Sequence, residues 1–404
     1  MARDPKTMNK FLLALTVLSV GLQDIAAGAV SPAIYSICMA FPEVSTSTVQ
    51  LVITLPTLSI CIVAPLYGWL SNKIQPRKLI IFGLALFVAA GCMPVFLDSL
   101  PLIMLCRVLL GVGTGITMPS ALSIIPVFYS GKVRDKFIGF NQGVGSLGCI
   151  FMQAIGGYFA DVDWHLSFLA YAVGVVSLVL VVLFLPDIPM DKLNAGVDKS
   201  EKVSIWRRVS PGLYGLTLVF VVCMIFVCIP TTNLDLMIQG KGIGTAASTG
   251  LALSVYTVGS FLGSVAFGYI KKACGIYTFT LSYLVCGAGF LLLSSAGSMG
   301  SVFAAMVIAG LGMGCLMCAY IGRAAEIASS LAWVAFSIAL VNAANGFGNF
   351  IHPTFVGLLD GIYGNIYGSA AIRIAGGALV AMGLVVGLFY LLTAKKRRGE
   401  TILQ

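Results

Sequence analysis

Gly68-Trp69-Leu70-Ser71-Asn72-Lys73 closes one long apolar segment, and Gly268-Tyr269-Ile270-Lys271-Lys272 closes another 200 residues further on. Other landmarks keep nearly the same spacing. The ladder Gly111, Gly113, Gly115 returns as Gly310, Gly312, Gly314, and Gly148 returns as Gly348. Self-similarity at a fixed period is the mark of a repeated architecture. Here the period is half the chain, so the sequence reads as two copies of one membrane-embedded bundle.

Composition agrees with that reading. Of 404 residues, 59% are hydrophobic and 10% charged, where a soluble domain has about 45–50% apolar and about 25% charged residues. Apolar runs recur, each long enough to cross a hydrocarbon core of about 30 Å. They lie near 11–33, 47–70, 79–97, 101–127, 138–160 and 166–186, then near 212–232, 249–270, 277–296, 300–322, 331–358 and 369–393. Continuous rather than alternating runs exclude a transmembrane β-barrel. The expected fold is all-α, with twelve transmembrane helices in two pseudo-symmetric six-helix bundles. Residues 1–190 form the first bundle, 191–207 a cytoplasmic linker and 208–404 the second.

The net charge of +9 reports topology rather than a nucleic-acid partner. Alternate gaps hold Arg3, Lys6 and Lys10; Lys73, Arg77 and Lys78; Lys132, Arg134 and Lys136; and the cluster from Lys192 to Arg208. Lys271, Lys272, Arg323 and the tail Lys395-Lys396-Arg397-Arg398 continue the pattern, while the opposite gaps hold only Lys241. Cytoplasmic loops collect Lys and Arg, which places both termini in the cytoplasm. The first span lacks a small-residue cleavage site and reads as retained rather than as a signal peptide. Eleven cysteines are scattered through apolar spans, and the close pair Cys315 and Cys318 reads as packing rather than as a redox motif.

No HExxH, P-loop or GxSxG is present, and the two histidines, His165 and His352, lie far apart. No metal, no other cofactor and no enzymatic activity are expected. Gly143-x-Gly145-x-x-Gly148 matches a dinucleotide fingerprint on paper, but it sits inside an apolar span, where glycines let neighbouring backbones approach.

Residues 68–79 resemble the signature loop between helices 2 and 3 of the major facilitator superfamily. Gly68, Leu70, Lys73 and Arg77 stand at matching or near-matching positions, while Asn72 replaces the usual acid, Gln75 the second glycine and Pro76 an arginine. Arg107, Gly111, Gly113 and Gly115 resemble the family's motif in helix 4. Gly156-Gly157, Trp164-His165 and Phe168 are similar to the junction of helices 5 and 6 in its bacterial drug:proton antiporters. The antiporter motif itself is broken, with Met152 and Gln153 in place of its Gly-Pro pair. The resemblance implies a secondary transporter of the cytoplasmic (inner) membrane of a bacterium, functional as a monomer, whose partners are a small-molecule solute, protons and the lipid bilayer. It implies proton-coupled export of an amphiphilic compound. Uptake or exchange of a small organic metabolite is the alternative, with a membrane sensor or intramembrane enzyme as a remote one. In the family the 68–79 loop acts as a cytoplasmic latch, so Gly68, Asn72, Lys73 and Arg77 form the expected gate with Arg323 and Glu326, one turn apart.

Charged groups at membrane depth carry a functional expectation. If span 1 is one continuous α-helix, Asp24 lies about 20 Å from its cytoplasmic edge and Arg107 about 9 Å from the outer edge of span 4. In a core of about 30 Å those depths coincide. A carboxylate near a guanidinium stays ionised, and one moved into an apolar setting takes up a proton. Asp24 and Arg107 are therefore the candidate proton switch, with a static ion pair as the alternative and His352 as a third candidate. Asn342, Asn345, Asn349 and His352 follow steps of three, four and three along one stripe. These amides, with Thr232, Asn233 and Asp235 of span 7, Tyr35 and Tyr256, are the candidate polar contacts to a solute; interhelical hydrogen bonding is the alternative. Met118, Met317 and Tyr320 are candidate apolar contacts, or plain packing.

Overall fold

The computed structural model describes residues 10–23, 26–71, 73–187, 211–327, 331–364 and 366–402. Among these residues every regular element is helical. The chain folds as two compact units, Met1–Arg207 and Arg208–Gln404.

The first unit contains α1 (Lys10–Ser19), 3-10 turns at Val20–Gln23 and Ala26–Ala33, α2 (Ile34–Ala40), α3 (Thr46–Ser71) and α4 (Pro76–Cys92). It continues with α5 (Leu100–Phe128), α6 (Gly131–Ala160), a 3-10 helix at Trp164–Ala172 and α7 (Val173–Phe184). The second contains α8 (Pro211–Gly240), α9 (Ala246–Cys274), α10 (Thr278–Ser294), α11 (Met299–Ile327), α12 (Leu331–Tyr363) and α13 (Ser369–Ile402). Proline opens α4, α5 and α8 in the first turn, where its missing N–H leaves no bond unmade. A Thr245/Ser248 capping box starts α9, and Gly275, at φ 57°, ends it.

Nine segments among the described residues are long and apolar enough to cross a membrane, or ten with the bent pair Phe11–Gln23 and Gly28–Ala40. The difference from the expected twelve has two visible sources. Ala246–Ser294 counts as one 49-residue segment, although α9 and α10 meet there at the turn Gly275–Tyr277. Helix α12, over the expected eleventh span, is not among the nine.

Within each unit the glycine ladder does one job. In the first, α5 packs on α3 and α4; in the second, α11 packs on α9 and α10. A methyl group at Gly111 would meet the Pro56 backbone of α3, and one at Gly314 would fall on the Ser260 carbonyl of α9. These helices approach too closely for any side chain at those points. The apparent dinucleotide fingerprint resolves the same way in part: Gly148 abuts the Leu22 carbonyl, whereas Gly143 faces open space.

Candidate functional site

The described parts of span 1 do not form one straight helix. Asp24 itself lies outside the described residues, but the segments on either side are 3-10 turns, and the two halves of the span bend by 48°. The depth assigned to Asp24 assumed a continuous α-helix at about 1.5 Å per residue, whereas a 3-10 turn rises about 2.0 Å. That assumption is corrected for the described residues: the flanking segments, Val20–Gln23 and Ala26–Ala33, are 3-10 turns rather than regular α-helix. Just before Asp24 in sequence, Gln23 is buried, and its Nε2 donates to Ser177 Oγ at 2.8 Å. Ser177 Oγ in turn donates to the Ser19 carbonyl at 2.7 Å. This chain ties α7 to the end of α1.

Arg107 is completely buried in α5. Its Nη2 donates to the Gly91 carbonyl of α4 at 3.3 Å. The guanidinium carbon lies 4.8 Å from the Phe168 ring centroid and 4.7 Å from that of Tyr171. Aromatic faces stabilise a desolvated cation, and arginine's planar, weakly hydrated head suits such a site better than lysine. Nε and Nη1 have no hydrogen-bond partner. A buried cation with donors to spare favours a nearby negative charge.

The polar stripe on α12 changes character along its length. Asn342 is exposed, Asn345 and Asn349 are half-buried, and His352 is fully buried. His352 Nε2 lies 3.0 Å from Thr232 Oγ1 of α8, and Nδ1 lies 2.7 Å from the Asn349 carbonyl. Asn233 Nδ2 donates to Thr232 Oγ1 at 3.1 Å, and Asn233 Oδ1 accepts the Gly368 N–H at 3.0 Å. Asp235 accepts from Thr249 Oγ1 and Gln239 Nε2, both at 2.9 Å. The polar end of α8 thus has its side chains engaged within the second unit, joining α9, α12 and the start of α13.

The other candidates are scattered. Tyr35, Met118 and Met317 are half-buried. Tyr320 is buried against Phe220 and Phe279, and its hydroxyl bonds that of Tyr283. The Tyr256 hydroxyl is buried without a partner. Of the gate candidates, Asn72 lies outside the described residues, Gly68 lies in α3 and Lys73 is exposed in the turn after it. Arg77 reaches Asp187 Oδ1 at 3.0 Å and the Val182 carbonyl at 2.9 Å, partners that the sequence reading did not name. Arg323 and Glu326 pair at 3.1 Å, and Lys271 joins them at 2.9 Å.

One cluster was missed entirely. His165 lies between two carboxylates, with Nδ1 2.8 Å from Asp163 and Nε2 3.2 Å from Asp98. Asp163 also caps the 3-10 helix by accepting the His165 N–H at 2.9 Å. That backbone bond, then the side-chain bond to His165, holds the Asp163 carboxyl below its ordinary range. The spacing Asp163-Trp164-His165 carries the capping signal; Asp98, 65 residues earlier, does not announce itself.

Two helical units, each with a buried polar centre inside an apolar bundle, are the architecture of a multi-pass membrane protein. The profile of the Major Facilitator Superfamily matches residues 13–337, and the chain belongs to that superfamily. It is 27% identical over 180 residues to the quinolone resistance protein NorA of Staphylococcus aureus (strain MRSA252), covering 43% of this chain and 46% of that one. It is 28% identical over 121 residues to the multidrug transporter protein MdtP of Bacillus subtilis (strain 168), covering 30% of this chain and 22% of that one. The chain thus spans less than half the length of these curated relatives. Among solved structures it is similar to a mutant of the nucleoside transporter NupG, with a TM-score of 0.73 at 12% identity, covering 94% of this chain and 99% of that one. It is also similar to a POT family transporter, with a TM-score of 0.71 at 15% identity, covering 94% and 96%. At such identities the likeness is one of fold alone.

Proposed function

We propose that this protein exports a small amphiphilic compound by alternating access, driven by protons, from the cytoplasmic membrane of a bacterium, with both termini in the cytoplasm and the monomer as the working unit. The observation that carries the reading is Arg107: a completely buried guanidinium, stacked on two rings, with two of its three nitrogens making no hydrogen bond. Asp24 is the carboxylate proposed to answer it. Close to Arg107 the acid holds its charge; moved into an apolar setting it takes a proton. The names of NorA and MdtP support drug-like cargo. Uptake or exchange of an organic metabolite is the second reading, favoured by Met152 and Gln153 at the position of the antiporter Gly-Pro pair.

Asp24→Asn carries the protonated side chain's shape permanently. In proteoliposomes with an imposed pH gradient it is expected to lose accumulation down to the level of protein-free vesicles while still binding solute. Wild-type accumulation by this variant would make Asp24 structural. The polar contacts proposed for the solute are Asn342, Asn345, Asn349, Tyr35, Tyr256, Thr232, Asn233 and Asp235; Met118, Met317 and Tyr320 are proposed to supply apolar surface. Gating is assigned to Gly68, Asn72, Lys73 and Arg77 and to the Arg323–Glu326 pair. A cysteine at Asn342, exposed, is expected to react with a water-soluble thiol reagent, and one at Ala344, buried, to stay unmodified. Equal labelling at both positions would remove Asn342 from the pathway.

A further inference from the structure

Gly28 stands apart from Gly148 and Gly156, the glycines of α6 that lie against span 1. A methyl group at Gly156 would fall on the Ala29 carbonyl, and one at Gly148 on the Leu22 carbonyl. Those two glycines are required because two backbones touch. Gly28 has no such reason. Its φ is not positive. A methyl group on it would meet, beyond its chain neighbours and among the described residues, Gln153 Nε2 of α6 at 3.4 Å and Ser31 Oγ at 3.7 Å. Both are ordinary contact distances, so the position has room for a side chain and lacks one.

The local backbone explains the arrangement. Ala26–Ala33 is a 3-10 segment, in which residues three apart eclipse one another. Ser31 therefore lies over the same face as Gly28, and Gln153 reaches that face from α6. Ser31 is 1% exposed, and its hydroxyl has no hydrogen-bond partner, so it does not bond the Gln153 amide beside it. Gly28 itself is half-buried, which leaves the floor between the two polar ends open to entry. A buried hydroxyl left unmet is costly unless a ligand or a water answers it. Polar groups at membrane depth face protein or a water-filled path rather than lipid.

The chemistry of the two groups narrows what fits between them. The Gln153 Nε2 group only donates, and the serine hydroxyl can donate as well. One oxygen with two lone pairs satisfies both, whereas an ammonium group would face the donating amide. Neither residue carries a charge that would answer a carboxylate. We propose that Gly28, Ser31 and Gln153 form a binding notch for an uncharged carbonyl oxygen of the transported solute. The inference rests on the transport reading above and names a chemical feature of its cargo, a ketone, ester or amide carried on an apolar frame.

The test is equilibrium binding to the full chain in nanodiscs at a single pH, corrected for partition into empty nanodiscs. The probes are matched pairs on naphthalene, biphenyl and carbazole frames, each a methyl ketone and the isopropenyl hydrocarbon of the same shape. Wild type is expected to bind at least one ketone about tenfold tighter than its hydrocarbon partner, the equivalent of one to two neutral hydrogen bonds. Gly28→Ala fills the notch at ordinary contact distances, so its unfolding midpoint should match wild type while the ketone preference is lost. Ser31→Ala leaves the space but removes one donor, and should reduce the preference to about threefold. Asp24→Asn should keep the full preference, so lost accumulation in that variant reports on the driving force and lost ketone preference on the notch. Equal binding within every pair, which would mean that water alone fills the notch, overturns the proposal. So does a ketone preference that survives undiminished in Gly28→Ala.

Discussion

Arg107 and His352 are both without exposed surface, yet the two units house them in opposite ways. The guanidinium keeps its charge, makes one long hydrogen bond and leans on two aromatic faces, with two of its three nitrogens making none. The imidazole is held at both nitrogens, by a carbonyl on its own helix and by a hydroxyl on the next. A satisfied neutral network rigidifies a bundle, whereas an incompletely satisfied charge is costly and persists where something else requires it. The first unit thus carries its polar centre at the expense of stability; the second uses its own as part of the frame.

The largest effect that could break this contrast comes from isosteric apolar replacement of each residue. His352→Leu leaves the Asn349 carbonyl without the side-chain donor that it has at 2.7 Å, at a cost of about 1–3 kcal/mol. Arg107→Met removes an incompletely satisfied buried charge and its desolvation cost while keeping much of the volume, so stability is expected to stay level or rise. Thermal unfolding in detergent should therefore show a fall of several degrees for His352→Leu and no fall for Arg107→Met, although the second variant should no longer accumulate solute. A lower midpoint for Arg107→Met would mean that the arginine is a structural clamp and that the contrast is mistaken.

How much of this could be read from the chain alone differs between the two centres. The echo of Gly68 in Gly268 and the paired glycine ladders fix a doubled helical bundle, because close helix approach requires glycine at set intervals and little else. Arg107 was legible as well, since a charge in an apolar run has few explanations. Its stacking on Phe168 and Tyr171 was not, because those rings come from a 3-10 segment some 60 residues further along the chain. For His352 the stripe singled out the residue but not its partners, since the Thr232 hydroxyl and the Asn349 carbonyl that it meets are set by the packing of α8 on α12. Span 1 was misread for a related reason. Hydropathy measures how apolar a segment is, not whether it stays α-helical, and the broken turn pattern on either side of Asp24 leaves no trace in composition.

A smaller effect sharpens the account of Arg107. Lysine keeps the charge but not the planar head, so it cannot lie against Phe168 and Tyr171 while reaching the Gly91 carbonyl. Arg107→Lys should retain the sign of the field at the proposed proton carrier and lose the cation–π contribution, about 1–2 kcal/mol for a desolvated pair. The expected result is pH-driven transport that persists at a reduced rate, with a lowered unfolding midpoint. Full loss of transport would show that geometry rather than charge is what the site requires.

The smallest expected effect concerns Asp163, which stands outside the membrane spans and offers a control with known sign. Its carboxylate caps the Trp164–Ala172 helix and pairs with His165, so its charged form is favoured in the folded state and its pKa lies below the ordinary carboxylate value. A group of this kind contributes stability that is fully present above the unfolded value, about 3.9, and is lost as the pH falls through the lower folded one. Asp163 is half-exposed, at 51%, so solvent screening keeps the contribution of cap and ion pair together near about 0.5 kcal/mol, the low end for such a cap. Asp163→Asn retains a capping oxygen but no charge, and Asp163→Ala removes both. Unfolding midpoints at neutral pH should fall in the order wild type, Asn, Ala, and the gap between wild type and Asn should close below about pH 4. Because this carboxylate makes no contact with either buried centre, neither variant should alter the pH dependence of transport. If Asp163→Asn does shift that dependence, the His165 cluster belongs to the coupling machinery, and the contrast between Arg107 and His352 no longer accounts for how the protein responds to protons.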